Sequence, residues 1–150
     1  MLNRQNSSLR REKSSQCTGD CMEYVALTGM SERVISELRN HHALTIEVRS
    51  PPNFFAAYKS NVGDFIFITH LSSDDLRGGT MGIIAKVLKH QVITHRMIQS
   101  NDIYYEEREM TLLRIQLEPR FIARVLRVTS NQICKAAKVD AEEMPFFDAR

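Results

Sequence analysis

Apolar and polar residues alternate with period two along most of this chain, and that pattern constrains the fold more than any other feature. Residues 44–49 (LTIEVR) put Leu44, Ile46 and Val48 on one side and Thr45, Glu47 and Arg49 on the other. A strand with one buried face reads this way. Leu113, Ile115 and Leu117 alternate with Arg114 and Gln116 in the same manner. Strands are also expected over 22–28, 65–70, 82–89 (continuing through a bulge to about residue 99), 104–117, 121–128 and 139–147. Pro119 is expected to separate two of them. A helical period appears once, over 31–40. There Ser31 is the natural N-cap, and Val34, Ile35 and Leu38 form the apolar stripe. Met30 and Ile35 have the spacing of a hydrophobic staple. Strands this numerous with one early helix predict an α+β fold, a small curled sheet or open β-barrel. A doubly wound sheet needs a helix after nearly every strand, and the pattern excludes it.

The connections follow from turn chemistry. Ser50-Pro51-Pro52-Asn53 is expected to stop the second strand, with a short helical turn over 54–58. Asn61-Val62-Gly63-Asp64 reads as a tight turn in which Gly63 and Asp64 are structural. Residues 71–80 read as a polar loop with Gly78-Gly79 as its flexible point. Asn101-Asp102 suits a hairpin turn.

Composition bounds the rest. The chain has 150 residues, 43% hydrophobic and 25% charged. That is enough for one domain with its own core, and it excludes wholesale disorder, a collagen-like repeat and a disulfide scaffold. No apolar run approaches the roughly 20 residues of a membrane-spanning helix, so no membrane partner is expected. Residues 1–21 carry a net charge of +2 and residues 22–150 carry none. The polar, serine-rich stretch 1–21 lacks both periodicities and the apolar core of a secretory signal. It is read as a disordered tail, with Met22 as an alternative start and 22–150 as the domain. Because the domain is neutral, an anion site must come from a local cluster.

Three cysteines without a secretion signal point to reduced thiols and a cytoplasmic setting. Cys17 and Cys21 have zinc-compatible spacing, as do His90 and His95. An odd offset on a strand turns the two histidines to opposite faces, so no metal and no cofactor is expected. Nucleophile-elbow, Walker and dinucleotide-binding patterns are absent from the sequence.

Several polar constellations remain. Thr45, Glu47 and Arg49 project from one strand face, and an arginine fork suits phosphate or a base edge. Lys86 interrupts an apolar strand, where it either reaches an anion or guards an edge. His95, Arg96, Tyr104 and Tyr105 meet across the expected hairpin as a basic and aromatic cluster, which suits single-stranded nucleic acid or simple cross-strand pairing. Arg120, Arg124 and Arg127 form a basic run. Glu106, Glu107 and Glu109, with Arg108 among them, read as a charged face rather than an acid–base pair.

The order of strand, helix, Thr45-Ile46-Glu47-Val48-Arg49, spacer, Val62-Gly63-Asp64-Phe65-Ile66-Phe67-Ile68, loop and Gly82-Ile83-Ile84-Ala85-Lys86-Val87 resembles the ASCH and related PUA-like domains. The match runs over residues 22–90. Residues 24–29 (YVALTG), 82–86 (GIIAK) and 105–109 (YEERE) further resemble an uncharacterised archaeal family, domain of unknown function 473. The first resemblance implies a small β-barrel that binds RNA, modified bases or nucleotides beside the T-x-E-x-R strand. On that reading Thr45, Glu47 and Arg49 line the site, Lys86 and Arg96 supply charge, and RNA or a nucleotide is the partner. Some ASCH members hydrolyse an acylated cytidine and use a lysine shortly before the threonine. Here His42, Ala43 and Leu44 stand in that stretch. An amidohydrolase of modified nucleosides, with His41 or His42 as base, is therefore the alternative. A protein-interaction or oligomeric module is the third reading, supported by the neutral charge of 22–150.

Overall fold

The computed structural model describes residues 21–40, 42–130 and 137–144. The elements run β1 (Cys21–Leu27), α1 (Glu32–Arg39), β2 (Leu44–Val48), α2 (Pro51–Tyr58), β3 (Phe65–Ile68), a 3-10 turn (Ser73–Asp75), β4 (Met81–Ser100), β5 (Tyr105–Ser130) and β6 (Ala137–Glu143). The class is α+β, as expected. The expected tail lies outside the described residues apart from Cys21, which opens β1. The last expected strand ends earlier, and residues 145–147 lie outside the described residues. Among the described residues no helix is long and apolar enough to cross a membrane.

The six strands form one mixed sheet in the order β2-β5-β4-β3-β1-β6, and β6 pairs again with β5. Hydrogen bonding therefore runs nearly in a ring, from β5 through β4, β3, β1 and β6 back to β5. Among the described residues only β1 and β3 pair in parallel. β2 joins β5 at Leu113–Leu117, along the edge that β6 takes over further on. Among the described residues only β5 pairs with it, so there its far edge has no partner strand.

Strand alternation splits the core in two. On one face Leu27, Ile46, Val48, Ile66, Ile68, Val87, Leu113, Ile115 and Leu117 pack beneath α1 and α2. On the other face Tyr24, Ala26, Phe67, Ile84, Ala123, Val125, Val139 and Ala141 pack together. Phe67, fully buried, contributes about 1.5–3 kcal/mol through burial alone. Small residues occupy β1, β5 and β6 in this second cluster because strands closing on themselves leave little room. Gly82 shows the same constraint: a β-carbon there would meet the Phe67 ring and lie 2.6 Å from the Ile68 carbonyl oxygen.

Helix α1 begins as its sequence requires. The Ser31 hydroxyl accepts from the Val34 N–H at 3.3 Å, and Ile35 and Leu38 are buried while Met30 packs against their cluster. Strand β2 stops where expected, but the helical turn expected over 54–58 is longer and begins at Pro51. Pro51 and Pro52 open the helix instead of only ending β2, because first-turn residues need no N–H donor and proline presets the helical φ. Asn53 on this helix is buried and is clasped by the end of β1. It accepts from the Thr28 N–H at 2.9 Å and donates to the Thr28 carbonyl at 2.7 Å. The turn before β3 is as expected: Gly63 has φ +96°, and the Asp64 carboxylate accepts from the Asn61 N–H at 2.8 Å. The loop before β4 is polar apart from Leu71 and Leu76, and Leu76 is buried in the second cluster.

Pro119 does not divide the returning strand. β5 continues through it, with Pro119 opposite Ala85 at a register shift, and a bulge is where a strand tolerates a missing donor. β4 carries the expected bulge and extends to Ser100. The Asn101 N–H donates to the Tyr104 carbonyl at 2.8 Å and closes the hairpin. Beyond β2 and α2, the distal halves of β4 and β5 project as a two-stranded arm.

Candidate functional site: a cleft along the open edge of β2

A cleft of about 530 Å³ lies between α1, β2 and the start of α2, lined by Arg33, Glu37, Thr45, Glu47, Arg49 and Asn53 among others. Alternation on β2 fixes what it presents. Ile46 and Val48 anchor the strand in the core, which turns Thr45, Glu47 and Arg49 outward. The strand's unpartnered edge adds backbone donors and acceptors to the same wall.

Glu47 is the electrostatic centre of this wall. Its carboxylate accepts from Arg49 Nη2 at 3.1 Å and from Arg114 Nη2 at 3.0 Å. Arg114 lies directly opposite Glu47 on β5. These two guanidiniums, Arg114 above all, hold the Glu47 carboxyl below the ordinary carboxylate range. Across the cleft Arg33 Nε donates to Glu37 Oε1 at 3.1 Å. The side chain of Arg33 is 87% exposed and that of Arg49 62%, so each can turn toward a ligand at small cost. The site thus combines two accessible guanidiniums, an ionised carboxylate, a hydroxyl and an open strand edge.

Of the five residues expected at a site, Thr45, Glu47 and Arg49 meet in this cleft. Lys86 and Arg96 do not line it. Lys86 is half-buried on β4, opposite Phe65 and Glu118. Arg96 sits on the arm, where Glu107 (2.8 Å) and Glu109 (3.4 Å) hold it. The basic and aromatic cluster is divided, because neighbouring strand residues face opposite ways. Arg96 and Tyr105 share one face, while His95 and Tyr104 share the other, and the Tyr104 hydroxyl donates to Glu106 at 2.8 Å. The basic run is paired as well: Arg120 with Glu118 at 3.8 Å, Arg124 with Glu142 and Arg127 with Asp140.

The histidines behave as the odd offset predicts. His90 Nε2 is 2.9 Å from the Ala57 carbonyl, and His95 is exposed. His42 is exposed and does not line the cleft, and His41 lies outside the described residues. The side chains of Cys17 and Cys21 also lie outside them. Among the described residues no group of three or more His, Cys, Asp or Glu is placed to hold a metal ion.

Sequence reasoning missed Arg33, Glu37 and Asn53. Arg33 and Glu37 were readable as an i,i+4 pair facing water, but not as facing β2. Asn53 followed a proline pair and read as part of a turn.

The comparisons agree with one another. The family model described as "Protein of unknown function (DUF473)" matches residues 22–139. "Uncharacterized protein MJ0105" of Methanocaldococcus jannaschii is 30% identical over 112 residues, which cover 75% of this chain and 70% of that protein. No solved structure matches the chain. The family match takes in the first cluster of the core, most of the second, the cleft wall and the arm, so the chain belongs to the DUF473 family of proteins of unknown function.

Proposed function

We propose that the protein is a PUA-like binding module that recognises a nucleotide or an RNA segment in the cleft between α1 and β2. The near-ring of strands is the architecture such a domain would have as a small barrel. The reading rests mainly on one observation: Thr45, Glu47 and Arg49 line a cleft of about 530 Å³ together with Arg33, beside an unpartnered strand edge. Each group then has a role. Arg33 and Arg49 neutralise phosphate, and their forked donors suit its oxygens. Glu47, kept ionised by Arg114, accepts from an exocyclic base amine. The Thr45 hydroxyl and the β2 backbone supply further polar contacts. The domain is neutral over 22–150, so affinity would come from the cleft and not from a general field.

The test is binding of the full chain to short RNA and to nucleoside phosphates across a salt series, with Arg49→Ala alongside. Saturable binding that weakens with salt and falls about tenfold or more in the variant is expected, since a charge-assisted contact contributes about 1.5–3 kcal/mol. Affinity unchanged in the variant would remove the cleft from the reading. Hydrolysis of an acylated nucleoside would convert the module into an enzyme on the same scaffold.

A further inference from the structure

The arm carries a property that the cleft does not use. The outer edge of β4 is occupied by β3 only over Ile83–Lys86, opposite Ile68 back to Phe65. The turn at 61–64 then bonds to Val87: the Gly63 N–H donates to its carbonyl and its N–H donates to the Asp64 carbonyl, both at 2.8 Å. From residue 90 to residue 100, among the described residues, only β5 pairs with β4, on the other side. An exposed edge is normally guarded by charges, proline or a bulge. The β5 half of the arm is guarded by Glu106, Glu107, Arg108 and Glu109. The β4 half, residues 91–99 (QVITHRMIQ), has one charged residue and no proline or glycine. That residue, Arg96, is already paired with Glu107 and Glu109.

The residues of this edge are arranged symmetrically about His95. Thr94 mirrors Arg96, Ile93 mirrors Met97, Val92 mirrors Ile98 and Gln91 mirrors Gln99. The free segment, 90–100, is centred on the same residue. An antiparallel strand of the same sequence, related by a two-fold axis through His95, would place apolar against apolar at four positions. It would also place amide against amide at the ends and never set arginine against arginine. Cross-strand pairs of this kind stabilise a sheet, whereas directly opposed like charges destabilise it. A two-fold interface must be self-complementary in this way. The pairing also carries the tip of one arm to the base of the other. Ile103 (98% exposed) and Tyr105 at the tip would approach the exposed Phe55 and Tyr58 on α2, beside His90. Covering these exposed apolar groups would add to a ribbon that is marginal when only two-stranded.

The geometry points to a homodimer in which β4 of two copies pairs antiparallel about His95, making a four-stranded arm. The occupant of the free edge is a second copy of this chain. This inference goes beyond the proposed binding function and is independent of the cleft.

The test is sedimentation equilibrium of the full chain, with Ile98→Glu alongside. A dimer of the 17.3 kDa chain is expected, with dissociation at least about tenfold easier in the variant, where a carboxylate faces Val92 of the second copy. Circular dichroism of the variant must match the parent, which separates lost pairing from lost folding. Register is read by crosslinking in a background with Cys17, Cys21 and Cys134 replaced by Ser. His95→Cys is expected to form an intermolecular disulfide on mild oxidation, since opposed β-carbons lie about 4.5–5.5 Å apart. Gln99→Cys is expected not to, because its copies would be about 27 Å apart, eight residues at strand rise. A monomer, a dimer indifferent to Ile98→Glu, or equal crosslinking at both positions would each overturn the inference.

Discussion

Glu47 and Arg114 stand directly opposite each other on β2 and β5, with Arg114 Nη2 3.0 Å from Glu47 Oε1. This pair ties the sheet's edge strand to its longest strand and fixes the charge state of the cleft wall. The Glu47 carboxyl lies below its ordinary range because Arg114 and Arg49 favour the ionised form. A lowered carboxylate pKa adds stability that is present above the unfolded value, about 4.3, and lost as pH falls through the folded value. Melting temperature measured against pH should therefore separate the parent from Glu47→Gln at neutral pH. The gap should begin to narrow as pH falls below the unfolded value and vanish once pH has fallen through the lower folded one. A gap that persists in acid would mean that glutamine disturbs packing, not charge.

Asn53 makes a second prediction, this time about folding. Asn53→Ala leaves the Thr28 N–H and carbonyl without the partners they have at 2.9 and 2.7 Å. Each buried backbone group left unpaired costs about 1–3 kcal/mol. Urea unfolding should show a lowered midpoint with little change in slope. Asn53→Asp should also destabilise, since a carboxylate cannot donate to the Thr28 carbonyl.

Gly82→Ala tests the close packing of β3 against β4. The added β-carbon meets the Phe67 ring and the Ile68 carbonyl oxygen, and the latter cannot move without shifting the strand. Overpacking of this kind costs about 1–3 kcal/mol. Thermal unfolding should fall by several degrees, and the fall caused by Gly82→Ala should be smaller in a Phe67→Leu background than in the parent. An equal fall in both backgrounds would place the whole penalty on the Ile68 backbone.

Arg49, Lys86 and Arg96 were read together from the sequence, and the fold separates them. Arg49→Ala should weaken nucleotide or RNA binding about tenfold or more, while Lys86→Ala and Arg96→Ala should leave it within about twofold. Titrations of the three variants at one salt concentration decide this. Equal losses in all three would indicate a diffuse electrostatic surface in place of a cleft.

The sequence by itself determined the local elements, because period and turn chemistry are carried by neighbouring residues. Residues 44–49 had to put Thr45, Glu47 and Arg49 on one face whatever they packed against. Ser31 had to cap the helix that follows it, and the Gly63-Asp64 turn was legible in the same way. Tertiary structure alone decided which polar faces meet. Arg33 and Glu37 looked like ordinary solvated residues until α1 packed over the core beside β2. Pro119 looked like a strand break until pairing with β4 left Arg120 as the extra residue of a bulge in β5 that absorbs it. Pro51 and Pro52 do follow the end of β2, but that they also open α2 was not legible. The His95, Arg96, Tyr104 and Tyr105 cluster dissolved because strand pairing sends adjacent side chains to opposite faces and gives Arg96 to Glu107 and Glu109. Propensity acts over a few residues and can be read in order along the chain. Pairing and packing join residues far apart in sequence, such as Glu47 with Arg114 or Thr28 with Asn53, and these exist only once the sheet has closed.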